Sequence, residues 1–342
     1  MIRSLKWLGV RNTLAMLALF AAAAGVHAAD STRIRLATLA PKDTSFHKSL
    51  LQMGDRWRQA TDGAVNLTIY TDGTMGGEAD MVRRMRIGQL QAAMLSVAGL
   101  SQIDESVRAL QLMPMMFRTL DEFEYARDKM RPELEKHFAE KGFVVLFWGD
   151  AGWVRFFSKQ AAITPDEMKK TKMFVWSGDP RSQQVMKAIG INAVPLEQTD
   201  VLTGLQTGLI DSVPSVPFYA LAGQFFGPAP HMLEVNWVPL VGATVITRKA
   251  WDSLSEAQHA AMLKVAAETG VQIKTRGRQE GEESVEAMKK RGLQVHSLTP
   301  GQTAVWEKFA EEVYPQIRGS AVPAETFDEV QKLMRDYRAG KK

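Results

Sequence analysis

The sequence predicts an α/β fold of two lobes, each built on a mixed, mostly parallel sheet. Strand and helix patterns alternate from Ile34 to Trp148, which is typical of a parallel sheet covered by helices. After Gly149 the alternation starts again, so a second sheet is expected. A helical pattern over 255–290 would extend about 50 Å if straight, which is too long for one domain face. We therefore expect interleaved lobes, joined by more than one crossing and hinged like a clamshell.

The elements of the first half follow from hydrophobic spacing and from capping residues. A strand over 34–39 leads into a turn, after which Asp43 or Thr44 caps a helix that ends just before Gly63. The run over 143–148 is apolar throughout, as in strands that a parallel sheet buries on both faces. Between them the pattern predicts strands over 65–70 and 91–95 and helices over 78–87 and 122–140.

The second half adds the long helix to the same alternation. Only Gly270, Gly277 and Gly281 interrupt the pattern over 255–290, so this helix either breaks or runs across both lobes. The other predicted elements are strands over 172–176, 210–213, 232–235, 241–247 and 293–296 and helices over 180–189, 199–207, 303–317 and 325–339. The predicted domains are a signal segment 1–28, lobe I (29–151 with 238–280), lobe II (152–237 with 281–320) and a C-terminal helix in 321–342.

The N-terminus predicts export to the periplasm. Arg3, Lys6 and Arg11 form a basic region, and the apolar run over 13–25 is short for a membrane span. Small residues up to Ala28 then offer a cleavage site, and a polar chain follows at once. The alternative is an uncleaved anchor helix.

Composition and motif content argue against several classes of function. Removing the signal segment lowers the net charge from +4 to +1, because three basic residues and no acidic residue lie in it. A nearly neutral chain with interspersed charges does not favour a nucleic-acid partner. The chain has no cysteine, and its six histidines lack metal-ligand spacing. We find no nucleophile elbow and no phosphate-binding loop, so we expect neither a catalytic site, nor a metal, nor a cofactor.

One cation among large aromatic side chains is the candidate ligand anchor. Arg155 lies just beyond an apolar strand, where α/β folds place ligands, and a guanidinium offers a bidentate fork to a carboxylate. Trp153, Phe174, Trp176 and Phe218 are candidates for the apolar wall that small-molecule pockets commonly have. The alternative for Arg155 is a structural salt bridge at the domain junction, and the alternative for the aromatic residues is the core.

From Ile34 to about Ile317 the chain resembles the extracytoplasmic solute-binding proteins of TRAP (tripartite ATP-independent periplasmic) transporters. Gly152–Ser158 is similar to the Gly-x-Arg segment of that family, and 164–173 to its segment before a Lys-Ile-Arg strand. The segment 188–211, which ends in Leu-Gln-Thr-Gly-Leu-Ile-Asp, matches a further family motif closely.

The resemblance implies a two-lobed periplasmic-binding-protein fold that closes on one organic anion and delivers it to integral-membrane TRAP permease subunits. In the family, an arginine of the Lys-Ile-Arg strand clamps the substrate carboxylate, and Phe174 stands at that position here. Arg155 is retained, whereas a family asparagine is replaced around Ser215. A polar pocket position falls near Ser96, and Thr38 in the first strand completes the candidate ligand-binding set.

These departures suggest a monocarboxylate with an apolar or aromatic body, held by Arg155 and stacked near Trp153, Phe174 and Trp176. Three alternatives stay open. The ligand could be an ordinary dicarboxylate or sugar acid, the chain could be a periplasmic ligand sensor that feeds a receptor, or it could be a periplasmic enzyme on a binding-protein fold.

Overall fold

A computed structural model describes residues 31–340. The predicted signal segment lies outside these residues. Across the described range, no helix combines the length and the apolar character that crossing a bilayer requires.

Eleven strands and twelve α-helices make up this part of the chain. The strands are β1 (Thr32–Thr38), β2 (Val65–Tyr70), β3 (Ala92–Ser96), β4 (Phe143–Trp153), β5 (Arg155–Ser158), β6 (Lys172–Trp176), β7 (Asn192–Leu196), β8 (Ser212–Ser215), β9 (His231–Glu234), β10 (Pro239–Thr247) and β11 (Gln294–Ser297). The helices are α1 (Ser45–Ala60), α2 (Glu78–Arg86), α3 (Val97–Leu100), α4 (Leu120–Glu140), α5 (Pro165–Lys169), α6 (Pro180–Ala188), α7 (Val201–Thr207), α8 (Pro217–Ala222), α9 (Arg248–Trp251), α10 (Glu256–Lys289), α11 (Pro300–Ile317) and α12 (Ala324–Arg338). Short 3-10 helices cover Glu105–Leu110 and Gln198–Asp200.

The strands form two mixed sheets, which confirms the α/β prediction. Sheet A has the order β2-β1-β3-β10-β4, in which β1 is parallel to β2 and β3, and β10 is antiparallel to β3 and β4. Sheet B has the order β11-β9-β5-β8-β6-β7 and also mixes both directions. We use lobe I for the elements around sheet A and lobe II for those around sheet B. The residue boundaries of the lobes given above stay a prediction.

Helix α10 runs unbroken through both lobes. It packs against β4 and α1 of lobe I, whereas Met288, near its C-terminal end, belongs to a core cluster built on strands of sheet B. Two of its glycines permit close packing. A Cβ on Gly270 would lie 2.9 Å from Cβ of Phe147 in β4, and one on Gly277 would lie 3.1 Å from the ring of Phe46 in α1. These glycines therefore bring the helix against lobe I instead of interrupting it.

Gly270→Ala is expected to lower the free energy of unfolding by about 1–3 kcal/mol, because Cβ of Phe147 cannot be moved by a side-chain rotation. Gly281→Ala on the same helix is the matched control. Its Cβ would meet no atom within 4 Å. Alanine has less backbone freedom than glycine in the unfolded chain, so this variant should be more stable by about 0.5–1 kcal/mol. Urea denaturation of both variants checks the difference, and an equal effect of the two would contradict the packing role of Gly270.

Six short strands and α-helices were not predicted from the sequence, namely β5, β7, α3, α5, α8 and α9. Strand β7 lies at the edge of sheet B and contains Pro195, which cannot donate a ladder hydrogen bond and is tolerated at an edge. Helix α5 has only five residues, too few for a periodic pattern, and Thr164 and Glu167 close its first turn with a capping box.

Candidate functional site

A cavity of about 270 Å³ lies between the lobes and is lined from both. Lobe I contributes the ends of β1 and β3 and part of β4 around Asp150, and lobe II contributes the ends of β6 and β8 and helix α6. Strand ends at the junction of two α/β units are the usual place for a ligand. Much of the wall is apolar and aromatic, with Phe46, Phe147, Phe174, Trp176 and Trp237 among its residues.

Five of the eight predicted ligand-binding residues line this cavity: Thr38, Ser96, Phe174, Trp176 and Ser215. Thr38 is buried at the end of β1, and its hydroxyl accepts a hydrogen bond from the backbone of Ala40 at 3.1 Å. Phe174 and Trp176 are two positions apart in β6, and Phe174 also packs into the core around sheet B. The chain thus brings these five positions together from both lobes.

The other three predicted residues, Arg155, Trp153 and Phe218, are not among the lining residues. Arg155 is half-buried and pairs with Ser215 across β5 and β8, but its guanidinium donates to Oδ1 of Asn236. Burial lowers the pKa of Arg155, and the charge of Glu234 opposes that shift. Phe218 is buried behind the cavity wall, with its ring centroid 5.2 Å from that of Phe46.

Three carboxylates at the cavity wall were not singled out from the sequence, and two of them are paired. Asp150 is 3% exposed and accepts two hydrogen bonds from Arg278 of α10, at 2.9 and 2.8 Å. Arg278 also pairs with Glu124 of α4 at 2.7 Å. Burial alone would lower the pKa of Arg278, but the bond and charge of Asp150 outweigh it and raise that pKa.

The second pair joins the two lobes. Asp179 accepts hydrogen bonds from Arg108 at 2.9 and 3.2 Å, and both residues are buried. Arg108 lies in the 3-10 helix of lobe I, which packs against α3 and α4, whereas Asp179 caps α6 by accepting from Ser182. The pair therefore closes one side of the cavity across the junction.

The third carboxylate, Glu78, has hydrogen bonds but no ion pair within residues 31–340. It accepts from the backbone of Ser96 at 2.8 Å, from the hydroxyl of Ser96 at 2.7 Å and from the backbone of Gly99 at 2.8 Å. Burial raises the pKa of Glu78 in spite of these bonds. Burial together with the charge of Glu78 also raises the pKa of Tyr219, which lines the cavity beside it.

No arginine, lysine or histidine of the described range lines the cavity. Its remaining polar side chains include the neutral amides of Gln111 and Gln198 and the hydroxyl of Ser182. Within residues 31–340 there is also no cluster of histidine and acidic side chains arranged to hold a metal ion. The arrangement is suited to enclosing a small, largely apolar molecule.

Comparison with known proteins shows what this chain is similar to. The sequence model of the family described as bacterial extracellular solute-binding protein, family 7, matches residues 36–320. The C4-dicarboxylate-binding periplasmic protein DctP of Rhodobacter capsulatus is 21% identical over 295 residues, covering 86% of this chain and 88% of that protein. A solute-binding protein of Chromohalobacter salexigens is 24% identical over 222 residues, covering 64% of this chain and 65% of that protein.

Among solved structures, the sugar acid binding protein DctPAm of Advenella mimigardefordensis in complex with galactonate is similar to this chain. The two have a TM-score of 0.83 and 16% sequence identity, and the match covers 90% of this chain and 99% of that one. At this identity the likeness shows a shared fold.

Proposed function

Because this chain belongs to family 7 of the bacterial extracellular solute-binding proteins, we propose that it captures one small organic acid between its lobes and delivers it to a TRAP membrane permease. The family membership confirms the resemblance seen in the sequence. The family consists of binding proteins, and we assign this chain a binding role in the periplasm without chemistry of its own.

The observation that carries the proposal is the mostly apolar cavity whose walls come from both lobes. A ligand there touches both lobes only in the closed form, so its binding energy shifts the hinge equilibrium towards closure. A membrane partner can then distinguish the loaded from the empty protein by its shape.

The class of ligand is inferred from the relatives and from the cavity wall together. DctP of R. capsulatus binds C4-dicarboxylates, and the A. mimigardefordensis protein holds galactonate, so organic acids are the expected class. The walls formed by Phe46, Phe147, Phe174 and Trp176 favour an acid with an apolar or aromatic body over a sugar acid, whose hydroxyl groups need many polar partners. We propose that the five lining residues identified above contact it.

A thermal-shift screen of the mature protein tests the proposal. The panel contains aliphatic and aromatic monocarboxylates, C4-dicarboxylates and sugar acids. A ligand at a hundredfold excess over its Kd stabilises the folded state by about 2.7 kcal/mol, so a clear rise in Tm is expected for acids with an apolar body. If only dicarboxylates or sugar acids raise the Tm, the prediction that the ligand has an apolar body is wrong. If no compound does so, the binding role itself is contradicted.

A further inference from the structure

We propose that the cavity binds the polar end of its ligand in an uncharged form, so that an acid is held protonated and its neutral amide binds more tightly. This rests on the proposed function, because it concerns the same cavity. The class of ligand is then a small apolar molecule that ends in a neutral group able both to donate and to accept a hydrogen bond.

The first argument is the charge of the cavity wall. Its ionisable carboxyl groups are those of Glu78, Asp150 and Asp179, and none of the lining residues in the described range is basic. A ligand carboxylate would lose its hydration on entering and meet no opposite charge in return. Desolvation without a charge partner disfavours the anion and favours the protonated or neutral form.

The second argument is that the two guanidinium groups bonded to carboxylates of the cavity wall are already paired. Arg108 gives two hydrogen bonds to Asp179, and Arg278 gives two to Asp150 and a further contact to Glu124. Each guanidinium therefore has a carboxylate of this chain as a fixed partner. Because each cation is already paired, a ligand carboxylate placed beside it would also face the anion of that pair.

Arg155 offers no replacement in the observed arrangement. Its guanidinium bonds Asn236 and lies near Glu234, outside the set of cavity-lining residues. Its strand partner Ser215 does line the cavity, so the two positions are adjacent while only one faces the ligand space. Arg155 thus has a hydrogen bond to a neutral amide, and not the salt bridge that was its alternative role in the sequence.

The third argument is the field around Glu78. Its three hydrogen-bond donors are the backbone and hydroxyl of Ser96 and the backbone of Gly99, and all three are neutral. The charge of Glu197 adds to burial in raising the pKa of Glu78, and the hydroxyl of Tyr219 lies in the same field. The surroundings of Glu78 therefore disfavour a negative charge, and they offer a second anion no cation as a partner.

The fourth argument is the supply of neutral hydrogen-bonding groups. Among the described residues, the hydroxyl of Tyr219 and the side-chain amide of Gln198 make no hydrogen bond, although both line the cavity. Gln111 uses Oε1 to accept from the backbone of Val241 at 2.9 Å, which leaves its amide protons available. The hydroxyl of Tyr219 and the amide of Gln198 can both donate and accept, as can an amide and a protonated carboxylic acid.

Matched acid and amide pairs test the inference on the mature protein. The probes are phenylacetic acid with phenylacetamide and 4-methylpentanoic acid with its amide, compared with succinate and glucuronate. Isothermal titration at pH 5 and pH 8 should show that the amide binds equally well at both pH values and at least tenfold more tightly than the acid at pH 8. The Kd of the acid should rise about tenfold per pH unit above its own pKa.

The outcomes separate the inference from the proposed function. An acid that binds more tightly than its amide at pH 8 overturns the inference, as does binding of succinate or glucuronate without either amide. In both cases the solute-binding role survives. If no compound of the panel binds at either pH, the proposed function fails together with the inference.

Variants give a second test. Phe174→Arg adds a cation to the wall and should shift the preference towards the acid by at least tenfold, whereas the control Phe174→Leu should keep the preference for the amide. Because Phe174 is buried, Trp176→Arg at a half-buried position of the same strand serves if the first variant does not fold. Arg155→Ala should leave both Kd values within about twofold, and a selective tenfold loss of acid binding would overturn the inference.

Discussion

Arg108→Met is expected to weaken ligand binding by at least about a hundredfold. The guanidinium of Arg108 comes from lobe I and holds Asp179 of lobe II in a buried, bidentate pair. Removing one partner of such a pair typically costs about 3–5 kcal/mol, because the other charge stays buried without compensation. Opening of the hinge would let water reach Asp179, so the cost falls on the closed form, which is the form that binds the ligand. Titration with the tightest ligand of the screen measures it, and small-angle scattering should show a more open ligand-free protein.

Two variants serve as controls for this prediction. Adding Asp179→Asn to Arg108→Met removes the lone charge but keeps an oxygen that can accept from the backbone of Ser182 and cap α6. The double variant should therefore recover affinity to within about tenfold of the wild type. Arg181 and Glu105 join the same two segments through an exposed ion pair, with side chains 49% and 42% exposed. Arg181→Met should therefore change affinity less than about fivefold. Equal losses for Arg108→Met and Arg181→Met would contradict the role of burial.

Arg278→Leu is expected to lower the free energy of unfolding by about 3–5 kcal/mol. The side chain of Asp150 is fully buried, and Arg278 is its ion-pair partner among the described residues. Asp150 lies in β4 and Arg278 in α10, so hinge opening is not expected to relieve this charge as it does for Asp179. The loss should consequently appear in denaturant unfolding of the ligand-free protein, with an unchanged dependence on denaturant concentration.

Arg276→Leu is the matched control, since it removes an exposed cation from the same helix two residues earlier. A change within about 0.5 kcal/mol is expected, as for most surface substitutions. If Arg278→Leu behaved in the same way, the stabilising role of the Arg278–Asp150 pair would be contradicted.

Much of the fold was predictable because its signals are local. The bounds of β2 and β6 agree with the predicted strands over 65–70 and 172–176. Strand β2 alternates apolar and polar residues, and β6 is an apolar run after its first residue. Of the two caps predicted for α1, Asp43 and Thr44, the structure has Thr44, whose hydroxyl accepts from the backbone of His47. The edge strand β7 escaped prediction because exposed edge positions need no alternation of apolar residues.

The candidate site was predictable only in part, because its ionic groups are paired over long distances in the sequence. Phe174 and Trp176 were found through their strand. Asp179 is 71 positions from Arg108, and Asp150 is 128 positions from Arg278, so no local pattern connects either pair. A weak signal did exist for Asp179, because an aspartate directly before a proline often caps a helix. It would have indicated the cap but not the partner in the other lobe.

The order of sheet A has a consequence for how the chain can fold as it is made. Strand β10 fills the space between β3 and β4, although it follows most of lobe II in the sequence. Until β10 has been synthesised, both β3 and β4 keep an open edge that can pair with another chain. Such non-local pairing slows folding and prolongs exposure to aggregation. A fragment that ends at residue 237 should therefore aggregate, whereas a fragment that ends after β10 could complete the sheet.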